Sequence, residues 1–194
     1  MKIETLTGKH KGETAYIIGS GKSIQHLNES YFGNGIIIAL NDNILRIESL
    51  QIPHIIYSMQ KDNPGGHDRF ECKCTGEQIC IFGELVKVIP KRAILLVHEL
   101  ESNNCMTEYP NRYTFNNERF GYKWNKPSVF SSVKVAQLLG CSHIKLVSFD
   151  ATALNCNGRI LKDGRLLKDH PYHENNEGLV EMLKIISHEF VTPK

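Results

Sequence analysis

Thr14-Ala-Tyr-Ile-Ile-Gly-Ser-Gly-Lys-Ser23 is the stretch that decides how the rest of this chain is read. A short apolar run, Ala15 to Ile18, stops at Gly19-Ser-Gly21, and a polar, helix-permissive stretch follows. That pattern predicts a buried parallel strand entering a glycine-rich turn at a helix N-terminus. Glycine lets backbone come close to a ligand, and the N–H groups of a first helical turn attract phosphate. Two standard motifs are excluded by spacing. A Walker A loop ending in Gly21-Lys-Ser23 needs a glycine where this chain has Tyr16. The dinucleotide fingerprint takes Gly19 and Gly21 as its first two glycines, but its third position is Ile24. A plain strand-to-helix turn without a ligand has the same local grammar.

Outward from this turn, apolar runs alternate with short helical patterns. Ile36 to Leu40 is β-branched and ends in Asn41-Asp-Asn43, and His54 to Tyr57 ends in Ser58-Met-Gln-Lys-Asp62. Asn43 to Leu50 has helical spacing between them. Ile79 to Phe82 and Ala93 to Val97 read as further strands. Ser128 to Leu139 reads as a helix buried along one face with Gly140 as its stop. Ile144 to Phe149 reads as a strand ending at Asp150, and a last helix is expected from about Asn176 to Phe190. The alternation predicts an α/β fold, a single Rossmann-like domain over residues 1–194 with a mainly parallel central sheet flanked by helices. Segments 63–78 and 100–127 read as irregular insertions, the second as a lid-like or acceptor loop.

Composition narrows the setting. The chain has 194 residues, 41% of them hydrophobic, enough for one full core. A formal net charge of +2 gives no global attraction to nucleic acid or membrane, although a local patch is compatible with it. No apolar run reaches membrane-spanning length and no secretory leader is visible, so a cytoplasmic protein is expected. Six cysteines without a framework spacing agree with a reducing compartment. His67, Cys72, Cys74 and Cys80 form a group of possible zinc ligands, but Cys72-Lys-Cys74 is tighter than the usual knuckle. A hydrophilic insertion with incidental thiols is the expected reading, and no metal site is assigned.

In an open α/β sheet, ligands bind beyond the carboxyl ends of the strands. Those ends carry Gly19, Ser20 and Gly21, then Asn41, Asp42 and Asn43, then Gln60, Lys61 and Asp62, and finally Ser148 and Asp150. Each alone suits a cap or turn. Together their amides, hydroxyls and carboxylates suit a nucleobase and ribose.

Ile17-Ile-Gly-Ser-Gly-Lys-Ser23, Ile38-Ala-Leu-Asn41, the helix from Ser128 to Gly140 and Ile144-Lys-Leu-Val-Ser-Phe-Asp150 occur in the order seen in a known group. Over the stretch these segments span, about two-thirds of its length, the chain resembles the bacterial sialyltransferase-like Rossmann superfamily. That group includes CMP-sialic-acid-dependent sialyltransferases and flagellin-glycosylating and pterin-diphosphokinase-like relatives. The resemblance implies a glycosyltransferase that moves a sugar from a nucleotide-activated donor, of CMP or UDP type, to a hydroxyl acceptor. It places Gly19, Ser20 and Gly21 against the donor phosphate, Asn41 on the ribose or base, and Ser128 near the nucleotide. His173 matches the catalytic general base, with His170 in reserve and Tyr172 a candidate for stabilising the leaving phosphate. Lys22 stands where the family often has proline, and Val129 where it often has glycine.

A histidine titrating near neutral pH suits the removal of an acceptor proton. No Asp-x-Asp pair of the kind that holds a divalent ion is present, so metal-independent stabilisation by backbone N–H groups, Lys22 and hydroxyls is expected, with no tightly bound cofactor. The alternative of another class is a Mg²⁺-dependent diphosphokinase using Asp42, Asp62 and Asp150. A non-catalytic nucleotide-binding module is the third reading. Arg159, Lys162, Arg165, Lys168 and His170 form a positive run beside the expected base. It reads as a solvated loop or as a recruiter of an anionic acceptor, a glycan or a nucleic acid with a hydroxylated base. The sequence leaves the oligomeric state open.

Overall fold

A computed structural model of the chain describes residues 1–41, 43–60, 91–99, 109–122, 128–149, 183–184 and 186–194. Among these residues seven strands make one sheet: β1 (Thr14–Ile18), β2 (Gly35–Leu40), β3 (Ile55–Gln60), β4 (Ile94–His98), β5 (Arg112–Phe115), β6 (His143–Val147) and β7 (Ser187–Val191). Their order is β5-β4-β3-β2-β1-β6-β7, and every neighbouring pair is parallel. The chain builds outward from β1 through β5 in one direction, then crosses back to place β6 on the other flank of β1. The order therefore reverses between β1 and β6, which makes that junction the topological switch point of a Rossmann-like α/β domain.

The central strands are continuous apolar runs because both faces of the sheet are covered. On one face Ala15, Ile17, Ile36, Ile38, Tyr57, Met59, Leu96, Ile144 and Leu146 pack with helix α2 (Ser128–Leu138) and the N-terminal 3-10 turn Ile3–Leu6. On the other, Tyr16, Ile18, Ile37, Ala39, Ile56, Leu95, Val97 and Val147 pack with Ile44 and Ile47 of helix α1 (Asn43–Ser49). Each fully buried Ile, Leu, Val or Phe side chain contributes about 1.5–3 kcal/mol of transfer free energy.

Four expectations need correction. The polar stretch after Gly21 forms a five-residue 3-10 helix, Lys22–His26, not an α-helix. Segment 100–127 contains β5, whose residues are mostly half-buried at the sheet edge and so lack an apolar signature. The expected last helix does not run to Phe190, because Ser187–Val191 is β7 and pairs with β6 in register from His143↔Ser187 to Val147↔Val191. Helix α2 is buried on most of its circumference, since Ser128, Ser131 and Ser132 are buried with its apolar residues. Small hydroxyl side chains let that polar face be enclosed: Ser132 Oγ donates to Val129 O at 2.8 Å. Helix α2 ends as expected, with Gly140 at φ +88°. There Gly140 N–H donates to Gln137 O and Cys141 N–H to Ala136 O, a Schellman closure. Among the described residues no helix is long and apolar enough to cross a membrane.

Candidate functional site

The turn after β1 is stitched to the turn after β6. Gly19 N–H donates to Val147 O and Gly21 N–H to Ser148 O, both at 2.8 Å. A Cβ on residue 19 would lie 2.9 Å from Ser148 O and 3.0 Å from the Phe149 ring. Real Cβ atoms do not approach backbone so closely, so glycine here is a packing requirement. The two glycine N–H groups are thus bound to the last residue of β6 and the one after it, and what this turn offers outward is exposed Ser20. Gly19 and Gly21 bring the backbone close; they do not supply free donors.

Helix α1 holds the turn from the opposite side. Asn43, 6% exposed, donates through Nδ2 to Ile18 O and to Ser20 Oγ, each at 3.1 Å. Three residues on, Arg46 donates through Nε to Ile24 O at 3.3 Å, and through Nη2 to Gln25 O at 3.2 Å and to Leu27 O. Positions i and i+3 share a helix face, so one face of α1 closes the C-terminal end of the 3-10 helix and fixes the serine in the turn.

The next strand ends are equally ordered. Asn41 takes a left-handed φ of +51°, a conformation that asparagine tolerates better than most residues. Its N–H donates to Met59 O at 2.8 Å, and its carbonyl accepts from Gln60 Nε2 at 2.8 Å. Gln60 Nε2 also donates to Ser58 Oγ at 2.9 Å. Beyond β6, Ser148 is fully buried at φ +57°, a strain on the order of 1–3 kcal/mol for a residue with a Cβ. Its N–H donates to Val191 O at 2.9 Å.

A second network seats the start of α2. Asn117 N–H donates to His98 Nε2 at 3.1 Å, and Ser131 Oγ donates to Asn117 Oδ1 at 2.6 Å. All three residues are buried. His98 closes β4, Asn117 follows β5, and Ser131 lies in the first turn of α2, so the network holds Ser128 at the carboxyl edge of the sheet. The Nε2 lone pair of His98 is committed to a backbone N–H, which suits an anchor and not a base.

Four side-chain atoms at this edge have no hydrogen-bond partner among the described residues although each is buried: Asn41 Oδ1, Gln60 Oε1, Ser128 Oγ and Ser148 Oγ. An unpaired buried polar atom costs about 1–3 kcal/mol, so a protein rarely collects several at one edge without a ligand to meet them. Ser128 is also the first residue of an eleven-residue helix, whose N-terminal N–H groups and dipole favour an anion.

The structure therefore brings Gly19, Ser20, Gly21, Asn41 and Ser128 to the carboxyl edge of one sheet. For Lys22 the backbone alone is described. Asp42, Asp150, His170, Tyr172 and His173 lie outside the described residues, as do Asp62, the His67/Cys72/Cys74/Cys80 group, the strand expected at Ile79 to Phe82 and the positive run from Arg159 to His170. Among the described residues no three His, Cys, Asp or Glu side chains converge as a metal site would require. Sequence reasoning missed Arg46 and the His98–Asn117–Ser131 network. Their partners are 14 to 22 residues away, beyond any local pattern. No protein-family model matches the chain, and comparison with curated proteins gives no match.

Proposed function

We propose that this protein is a glycosyltransferase that takes a sugar from a nucleotide-activated donor, with the nucleotide lying across the carboxyl ends of β1, β2 and β6. The observation that carries the reading is the group of buried polar atoms without a partner among the described residues, Asn41 Oδ1, Ser128 Oγ and Ser148 Oγ, beside the switch point. Ligands of open α/β sheets bind at that place, and a nucleotide has the donors and acceptors to satisfy such a set. In this reading Ser20 and Ser128 face the donor phosphate and Asn41 the ribose or base. Lys22 and Tyr172 offset the charge of the leaving phosphate. His173, with His170 in reserve, takes the proton of the acceptor hydroxyl. The roles of Tyr172, His173 and His170 rest on the sequence resemblance, and that of Lys22 on its charge in the turn after β1. No metal is needed for the chemistry so described.

A thermal-unfolding panel of CMP, UDP, GDP and ATP, with and without Mg²⁺, tests the binding half of the proposal. One pyrimidine nucleotide should raise the unfolding temperature without metal, because a ligand selective for the folded state stabilises it. Donor hydrolysis should survive a chelator and fall at least 100-fold in His173→Ala. Strict Mg²⁺ dependence would transfer the assignment to diphosphate transfer. No shift with any nucleotide would remove it.

A further inference from the structure

Gln60 is 1% exposed and closes β3 at the same sheet edge as Asn41. Its amide can be oriented in one way only. The Asn41 carbonyl is an acceptor and nothing else, so the group 2.8 Å from it must be the NH₂. The second amide hydrogen goes to Ser58 Oγ. Both Gln60 donors are therefore used inside the fold, and Oε1 is left as a buried acceptor without a partner among the described residues. Beside it, just past the end of β2, Asn41 Oδ1 is likewise buried without a partner among the described residues. Of the four unpartnered atoms, Ser128 Oγ and Ser148 Oγ are hydroxyls that can donate or accept. Gln60 Oε1 can only accept.

We propose that Gln60 is a specificity-determining residue: its Oε1, with Asn41 Oδ1, forms an acceptor pair that reads hydrogen-bond donors of a ribonucleoside at the β2–β3 strand ends. This rests on the nucleotide-binding reading above and sharpens it. A ligand edge that carries only acceptors would leave both carbonyls unpaired and is disfavoured. CMP, 2′-deoxy-CMP and UMP differ in two donors, the ribose 2′-hydroxyl and the amino group on the base, which uracil replaces by a carbonyl while keeping a ring N–H. Ser58 fixes the amide and is a positioning residue, since it reaches the ligand only through Gln60.

The test is calorimetric affinity of wild type, Gln60→Met and Ser58→Ala for CMP, 2′-deoxy-CMP and UMP, with thermal unfolding of each variant alone as the check on folding. Wild type should bind CMP roughly tenfold more tightly than whichever analogue lacks the donor that is read. That preference should collapse towards unity in Gln60→Met, and shrink in Ser58→Ala, where one amide hydrogen is released but the carbonyl remains. Loss of the CMP/2′-deoxy-CMP ratio identifies a ribose hydroxyl as the donor; loss of the CMP/UMP ratio identifies the base amino group. If Gln60→Met weakens all three ligands equally, or if both variants keep the wild-type ratios, Gln60 has a structural role and the proposal fails. Should Gln60→Met not fold, the ratio in Ser58→Ala decides. If wild type binds none of the three, the nucleotide reading and this inference fall together, a result distinct from binding without discrimination.

Discussion

At the scale of single residues, Gly19 and Ser148 meet across the switch point and predict opposite mutational behaviour. Gly19→Ala would press a methyl group against Ser148 O and the Phe149 ring, and a backbone carbonyl that already accepts from Gly21 cannot step aside cheaply. The expected cost is about 1–3 kcal/mol, the range for overpacking a close contact. Ser148→Ala instead removes a fully buried hydroxyl that has no partner among the described residues. It is expected to leave stability unchanged or raise it by about 1 kcal/mol while weakening nucleotide binding, the usual sign of a residue kept for a ligand. Urea unfolding of both variants, followed by nucleotide titration of the second, measures this. Destabilisation of Ser148→Ala by more than about 1 kcal/mol would show that the hydroxyl supports the fold.

At the scale of elements, α1 acts as a clasp. Its Arg46 guanidinium donates to three carbonyls around the end of the Lys22–His26 turn, which has no other basic residue in its last turn than His26. Arg46→Ala is expected to cost about 1 kcal/mol, equivalent to roughly 2–4 °C in unfolding temperature for a chain of this size. It should also raise the KM for the nucleotide donor more than it lowers kcat, since the turn is displaced and not removed. An unchanged KM would separate this clasp from ligand binding. The same scale explains what the sequence discloses. β1, β2, β3, β4 and β6 were legible because strands covered on both faces must be apolar throughout. β5 and β7 were not, because edge strands are covered less and carry residues such as Arg112, His188 and Glu189. In the site, Gly19, Ser20, Asn41, Gln60 and Ser148 stood out as glycine or polar residues at the carboxyl ends of apolar runs. The polarity of Gln60 as an acceptor could not be read, since it depends on which atoms Ser58 and Asn41 place around the amide.

At the scale of the whole molecule, burial sets the alkaline limit of stability. Burial, reinforced by Glu13, pushes the Cys141 thiol from its ordinary 9.0 up to about 12, and burial with the nearby Glu48 charge pushes Tyr109 from 10.0 to about 12. Above pH 9 the unfolded chain releases a proton that the native chain keeps, so rising pH favours unfolding. Stability is expected to be full below about pH 9 and to fall progressively towards pH 12, as followed by the urea midpoint. Cys141→Ala should delay the onset to the tyrosine range near pH 10; an onset unmoved by that substitution would exclude the thiol as its source. A different consequence follows from where β1 sits. Of its two neighbours, β2 follows closely in the chain, whereas β6 comes more than a hundred residues later. Until His143–Val147 emerges, one side of Thr14–Ile18 is an open edge that can recruit another chain. Pairings so distant in sequence form slowly. The glycine turn is closed by Val147 and Ser148, so the nascent chain acquires a formed switch point only after β6 has emerged.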